Sequence, residues 1–179
     1  MPTAVDAVFE ELDREPTQLS LPAILDWICR SRLTADDLAE YMVFHTDRYV
    51  RNLVHAGPAY QALVLCWRSG QRSPIHNHRG SNCGVKVLRG VATETVFAKA
   101  PNGMPYAVGS RDLPPGHVCA SADADMHQMS NLQAGGADLV TLHIYSPPLL
   151  RMEMFSLESG AIAEWDDPVN DPFGEGGGI

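Results

Sequence analysis

From about residue 48 to residue 157 the sequence breaks into short runs rich in Val, Leu, Thr and aromatic residues, separated by turn signals. The runs fall at 48–54, 60–67, 73–78, 83–89, 91–98, 105–109, 117–121, 127–132, 138–145 and 152–157. Between them stand Ala56-Gly57-Pro58, Ser69-Gly70, Arg79-Gly80, Arg89-Gly90, Pro101-Asn102-Gly103, Pro114-Pro115-Gly116 and Ala134-Gly135-Gly136. Glycine and asparagine tolerate left-handed backbone and proline presets φ, so each cluster reads as a turn for a stated reason. Short strands repeating every roughly 8–12 residues predict a sandwich or barrel, not parallel βαβ units. The chain is mainly β.

The first fifty residues follow a helical period. Thr3 is placed to cap a helix that carries Val5, Val8, Phe9 and Leu12 on one face. Ser20 is placed to cap a second, with Pro22 in its first turn and Ile24, Leu25 and Ile28 following. In TADDLAEYMVF, Thr34 and Asp37 form an acidic variant of the capping box, ahead of Leu38, Tyr41 and Met42 at helical spacing. The expected organisation is one domain over 1–166, with a helical lead-in to about 46 and a barrel from about 47. The acidic, glycine-rich 167–179 is expected to be disordered. A formal charge of −9 argues against a nucleic-acid surface. No apolar run approaches the ~18 residues of a membrane span, and the acidic N-terminus lacks signal-peptide character. Cys29, Cys66, Cys83 and Cys119 show no disulfide or zinc-knuckle spacing. These features suit a cytoplasmic protein.

One run carries unusual chemistry. In SPIHNHRGSNCGVKVLRG, residues 73–90, His76 and His78 lie two apart. On a strand they share a face and aim at one point. A single strand histidine is most often a satisfied core or surface residue, but a pair two apart sets two bonds of a metal site by backbone geometry alone. His127 is the best candidate for a third ligand, whereas His45, His55 and His117 read as surface residues. Three imidazoles suit zinc, copper, nickel or iron, so ligand type leaves the metal open.

The order Gly70, His76, His78, Cys83, Gly90 resembles the first motif of the cupin superfamily, with cysteine where most cupins carry a metal-binding glutamate. His127 with Asn131 resembles the end of the second motif, although the preceding Pro/Gly portion lies farther from the histidine than in the general pattern. RYVRNLV (48–54), LVLCW (63–67) and LHIYSPP (142–148) extend the likeness. Over roughly residues 40–160 the chain thus resembles the cysteine dioxygenase family, the thiol dioxygenase branch of the cupins, in its arginine type. The resemblance implies a cupin, a jelly-roll-like small β-barrel, binding Fe(II) through His76, His78 and His127. It implies oxidation of the L-cysteine thiol by O₂ to cysteine sulfinic acid.

The same likeness gives roles to other residues. Arg51 corresponds to the residue that binds the substrate carboxylate, assisted by Tyr49; without the likeness both read as a solvated strand edge. The neighbouring 3-mercaptopropionate enzymes generally carry glutamine there, so arginine points to cysteine. In LVTLHIYSPP, Thr141, His143 and Tyr145 share one face, and Val140, Leu142 and Ile144 the other. The likeness turns the polar face inward, with His143 and Tyr145 near the iron. The family usually has serine at Thr141, and the Ser146–Pro147 bond resembles one that is cis. Cys83, otherwise a small buried hydrophobe, corresponds to a cysteine that forms a thioether with the tyrosine matching Tyr145. Expected partners are a small thiol and O₂ acting on a monomer, without nucleic acid or membrane. Competing readings are a dioxygenase for another small thiol such as 3-mercaptopropionate, and a non-catalytic or zinc-containing cupin that binds a small acid.

Overall fold

The computed structural model of the chain describes residues 5–122, 125–166 and 168–173. Two helices, α1 (Asp6–Asp13) and α2 (Leu21–Arg30), lead into β1 (Val50–Ala56), β2 (Gln61–Trp67), β3 (Asn82–Arg89) and β4 (Ala92–Lys99). There follow β5 (Pro105–Leu113), β6 (Val118–Ser121), β7 (Met126–Ser130) and β8 (Leu139–Ser146), then β9 (Met152–Phe155), β10 (Ile162–Trp165) and β11 (Val169–Asn170). One sheet has the order β11-β1-β2-β8-β3-β6. The other side is built from β5-β4-β7 and β10-β9, joined by the segment around His76, which bridges to His127 of β7 and Met154 of β9.

The central strands of the large sheet are buried on both faces, and the two faces do different work. Ala62 and Val64 of β2, with Val140, Leu142 and Ile144 of β8, pack beneath Phe9, Ile24, Trp27 and Ile28 of the helices. Leu63, Leu65, Trp67, Val85, Leu139 and Tyr145 face the barrel interior. The helices therefore cover the apolar face of β8 and leave Thr141, His143 and Tyr145 to point inward. Ser20 caps α2 by accepting from Ala23 N at 3.3 Å, and Pro22 occupies its first turn. His55, read from sequence as a surface residue, is half-buried: it stacks on Phe9 at 4.9 Å and bridges Asp6 and Asp13 of α1.

Gly84 is where α2 meets the sheet. A Cβ there would lie 2.4 Å from Ile24 Cγ2 and 2.7 Å from Ile28 Cδ1. Glycine thus lets the helix approach, and strand alternation turns Cys83 to the opposite, interior face. Gly84→Ala should cost about 1–3 kcal/mol through overpacking. Chemical denaturation measures it, and an unchanged midpoint would mean that α2 shifts freely.

Several expectations change. TADDLAEYMVF does not form an α-helix. Thr34 and Asp37 make the reciprocal bonds of a capping box, but only a 3₁₀ turn, Ala39–Tyr41, follows. Burial of Leu38 and Tyr41 spends the segment within one turn, before the chain enters β1. The 73–78 run bridges at its centre without becoming a full strand. The 105–109 run extends to Leu113 because it pairs with all of β4. Val169–Asn170, in the tail expected to be disordered, pairs in parallel with Arg51 and Asn52. Thr3, residue 167 and residues 174–179 lie outside the described residues.

Candidate metal centre

Backbone pairing assembles the three histidines. His76 and His127 exchange N–H···O bonds of 3.0 Å in both directions, so they are directly opposed and their side chains emerge on one face. His78 follows two residues after His76 onto the same side. Their ring centroids are 4.8–5.3 Å apart, and their ligand atoms lie within 4.8 Å of one another. All three are buried.

The outward nitrogens fix which nitrogen faces inward. His76 Nδ1 donates to the Pro74 carbonyl at 2.9 Å, and His127 Nδ1 donates to Glu94 Oε1 at 3.0 Å. Each ring thereby presents a bare Nε2 to the cluster. His78 Nδ1 meets the Ser121 hydroxyl at 3.4 Å, and its buried Nε2 has no hydrogen-bond partner among the described residues. Burial first, then the neighbouring His127, pushes His76 down to about 3 and His78 well below its ordinary value. Both rings are neutral at ordinary pH, as a ligand must be. Leaving a buried polar atom unsatisfied costs about 1–3 kcal/mol, which a cation accepting that lone pair would remove. The donor set fits a metal ion.

The expected companions line the same pocket: Tyr49, Arg51, Cys83, His143 and Tyr145 face it with the three histidines. Arg51 is 1% exposed and donates from Nη2 to the Leu149 carbonyl at 3.1 Å. Its guanidinium lies 5.4 Å from the Tyr145 ring centroid. Tyr49 stacks on Trp67 at 4.2 Å. Cys83 is directly opposite Tyr145 in the β3–β8 ladder. Burial pushes its thiol well up, the Cys119 thiol adds to this, and a hydrogen bond with Tyr145 opposes it. Cys83 is therefore held as the neutral thiol. The Ser146–Pro147 peptide is cis.

A directed chain of hydrogen bonds runs along β8. Trp67 Nε1–H, a donor only, gives its hydrogen to Thr141 Oγ1 at 3.1 Å. That leaves the Thr141 hydroxyl to donate to His143 Nε2 at 2.9 Å. His143 then carries its proton on Nδ1 and donates it to the Tyr145 hydroxyl oxygen at 2.9 Å. The Tyr145 hydroxyl hydrogen is consequently directed away from His143. Burial, then the charge of Arg51, keeps His143 far below its ordinary pKa, hence neutral. The Thr141 hydroxyl thus links Trp67 to His143.

Sequence reading missed Glu94, Arg111 and the role of Trp67. Glu94 sits in ATETVF, on β4, and is 5% exposed. Arg111 on β5 holds its second oxygen, through Nε at 2.8 Å and Nη2 at 2.6 Å. The bond to His127 first, against the cost of burial, and then Arg111 hold the Glu94 carboxyl below its ordinary value. The available signal was a lone carboxylate within a Val/Thr-rich strand, which by itself reads as a solvent-facing residue.

Residues 23–158 match the family described as cysteine dioxygenase type I. Cysteine dioxygenase type 1 of Homo sapiens is 31% identical over 161 residues, covering 87% of this chain and 70% of that protein. The protein of the same name from Bos taurus is 35% identical over 127 residues, covering 68% of this chain and 62% of that protein. A solved structure from Thermus thermophilus superposes with a TM-score of 0.53 at 18% identity, covering 63% of this chain and 95% of that one. At that identity the likeness concerns the fold alone.

Proposed function

Since the chain belongs to the cysteine dioxygenase type I family, we propose that it oxidises L-cysteine with O₂ to cysteine sulfinic acid at an Fe(II) centre. The observation that carries this reading is the buried three-histidine cluster, with its unpartnered His78 Nε2, in one pocket with Arg51 and Tyr145. The reaction balances without a further reductant: RSH + O₂ gives RSO₂H, the sulfinic rung of thiol oxidation. His76, His78 and His127 would hold the iron, which when bound supplies O₂ activation and a seat for the substrate sulfur.

The chain's own residues bind and orient. Arg51 would pair its planar fork with the substrate carboxylate, and its burial strengthens that charge-assisted bond. Tyr49, stacked on Trp67, would flank it. The Trp67–Thr141–His143 chain fixes the Tyr145 hydroxyl in the wall of the pocket that the substrate would enter. His143 stays neutral and acts by holding that hydroxyl in place. The free cysteines suit the reducing cytoplasm. Oxygen uptake by iron-loaded protein with a panel of small thiols tests the reading. Cysteine should be preferred, with both labelled atoms of O₂ found in the sulfinate by mass spectrometry. Faster uptake with 3-mercaptopropionate would reassign the substrate, and an active protein holding zinc but no iron would end the oxygenase reading.

Cys83 and Tyr145 should become joined by a thioether during turnover. Their direct opposition across β3 and β8 supports this, as does the burial of the Cys83 thiol. An S–C bond would replace the Cys83 S–H and one ring C–H of Tyr145, and one O₂ would take up the two hydrogens as H₂O₂. A second, faster band on a denaturing gel should appear and resist reductant, and Cys83→Ser should give a single band while keeping much of its activity. Recovery of only intact Cys83 and Tyr145 peptides after exhaustive turnover would show that Cys83 merely packs.

A further inference from the structure

We propose that Glu94 is a positioning residue for the metal centre: it fixes His127 as the Nε2 donor and lends the all-imidazole site a negative charge. The proposal rests on the reading of His76, His78 and His127 as metal ligands.

The three rings are not equivalent. His76 donates to a backbone carbonyl and His78 meets a hydroxyl, both neutral partners. Among the described residues, His127 is the one of the three that faces a carboxylate, at 3.0 Å. Register produces the contact. The β4–β7 ladder pairs Glu94 with Met129 and Val96 with His127, which makes Glu94 and His127 diagonal neighbours. On its other side Glu94 is directly opposite Arg111. The carboxylate is thus held from two directions while buried, whereas the Arg111 side chain is 56% exposed and reaches solvent. Neither Glu94 nor Arg111 lines the pocket, so Glu94 acts on the site through its bond to His127 and through its charge.

A ring that donates to a carboxylate is a stronger base at its other nitrogen, and its plane is fixed. Three neutral ligands leave a divalent ion with its full charge. Glu94, one ring away, offsets part of that charge, and Arg111 moderates the offset by drawing on the same carboxylate. The arrangement should favour the more highly charged ferric state relative to three independent histidines.

Glu94→Gln preserves size and removes the charge. By anaerobic chelator competition it should bind Fe(II) about 10–100-fold more weakly than wild type, the usual consequence of removing such a partner. The Fe(III)/Fe(II) potential of the iron-loaded protein should rise. Arg111→Ala should lower that potential, and it should lose most of this effect in the Glu94→Gln background. Wild-type affinity and potential in Glu94→Gln overturn the proposal, and so does a lower melting temperature with an unchanged potential, because Glu94 then only ties β4 to β5. Should Glu94→Gln fail to fold, Arg111→Ala decides: a fall in potential supports the proposal, and no change or a rise overturns it. A wild-type protein that binds no iron removes the three-histidine reading itself, and this proposal with it.

Discussion

Replacing His76, His78 or His127 with alanine should each abolish iron binding and thiol oxidation. Each ring contributes one of three donors, and their positions come from a rigid backbone pairing between two segments, so neighbouring side chains cannot slide in to substitute. Losing a ligand itself should exceed the 10–100-fold penalty typical of losing a ligand's hydrogen-bond partner. Exposed histidines provide the controls. His45→Ala and His117→Ala should bind iron and turn over nearly as wild type. His55→Ala should retain the site but lose stability, because His55 ties β1 to Asp6 and Asp13. Metal analysis together with oxygen uptake reads every one of these variants. Retention of stoichiometric iron by any one of the three ligand variants would show that the cluster is not the metal site.

Arg51→Ala should weaken cysteine far more than cysteamine, which has the thiol and amine but lacks the carboxylate. A hydrogen bond to a charged group contributes roughly 1.5–3 kcal/mol. Since about 1.4 kcal/mol is tenfold in binding, the expected loss for cysteine is about one to two decades. Arg51 also holds the Leu149 carbonyl, so some general loss through pocket distortion is expected with both thiols. The difference between the two substrates, rather than either loss alone, therefore isolates carboxylate binding. Steady-state rates measured with both substrates give that difference. Equal losses would mean that Arg51 supports the chain after β8 and does not meet the substrate.

Much of the centre was legible because strand chemistry is periodic. A period of two places His76 with His78 and Thr141 with His143 and Tyr145, whatever the rest of the chain does. Ser20 and Pro22 mark the start of α2 for equally local reasons. The capping box at Thr34 was also read correctly as a set of hydrogen bonds, yet only a 3₁₀ turn follows it. Its apolar residues are satisfied by one turn against the core. Local signals thus specified conformations a few residues long, and long-range burial decided how far each continued.

The sequence by itself determined the change from helix to short strands near residue 48, the facing pairs on each strand, and the histidine pair with a family likeness around it. Only the tertiary structure decided which face of β8 is interior, because alternation is symmetric until α1 and α2 cover one side. It also decided that His127 is opposite His76, that Cys83 is opposite Tyr145, and that Glu94 reaches His127. Each of these is a match between segments far apart in the chain. The physical reason is common to all three: periodicity fixes directions within a strand, whereas register between strands is set by hydrogen bonding and burial across the sheets.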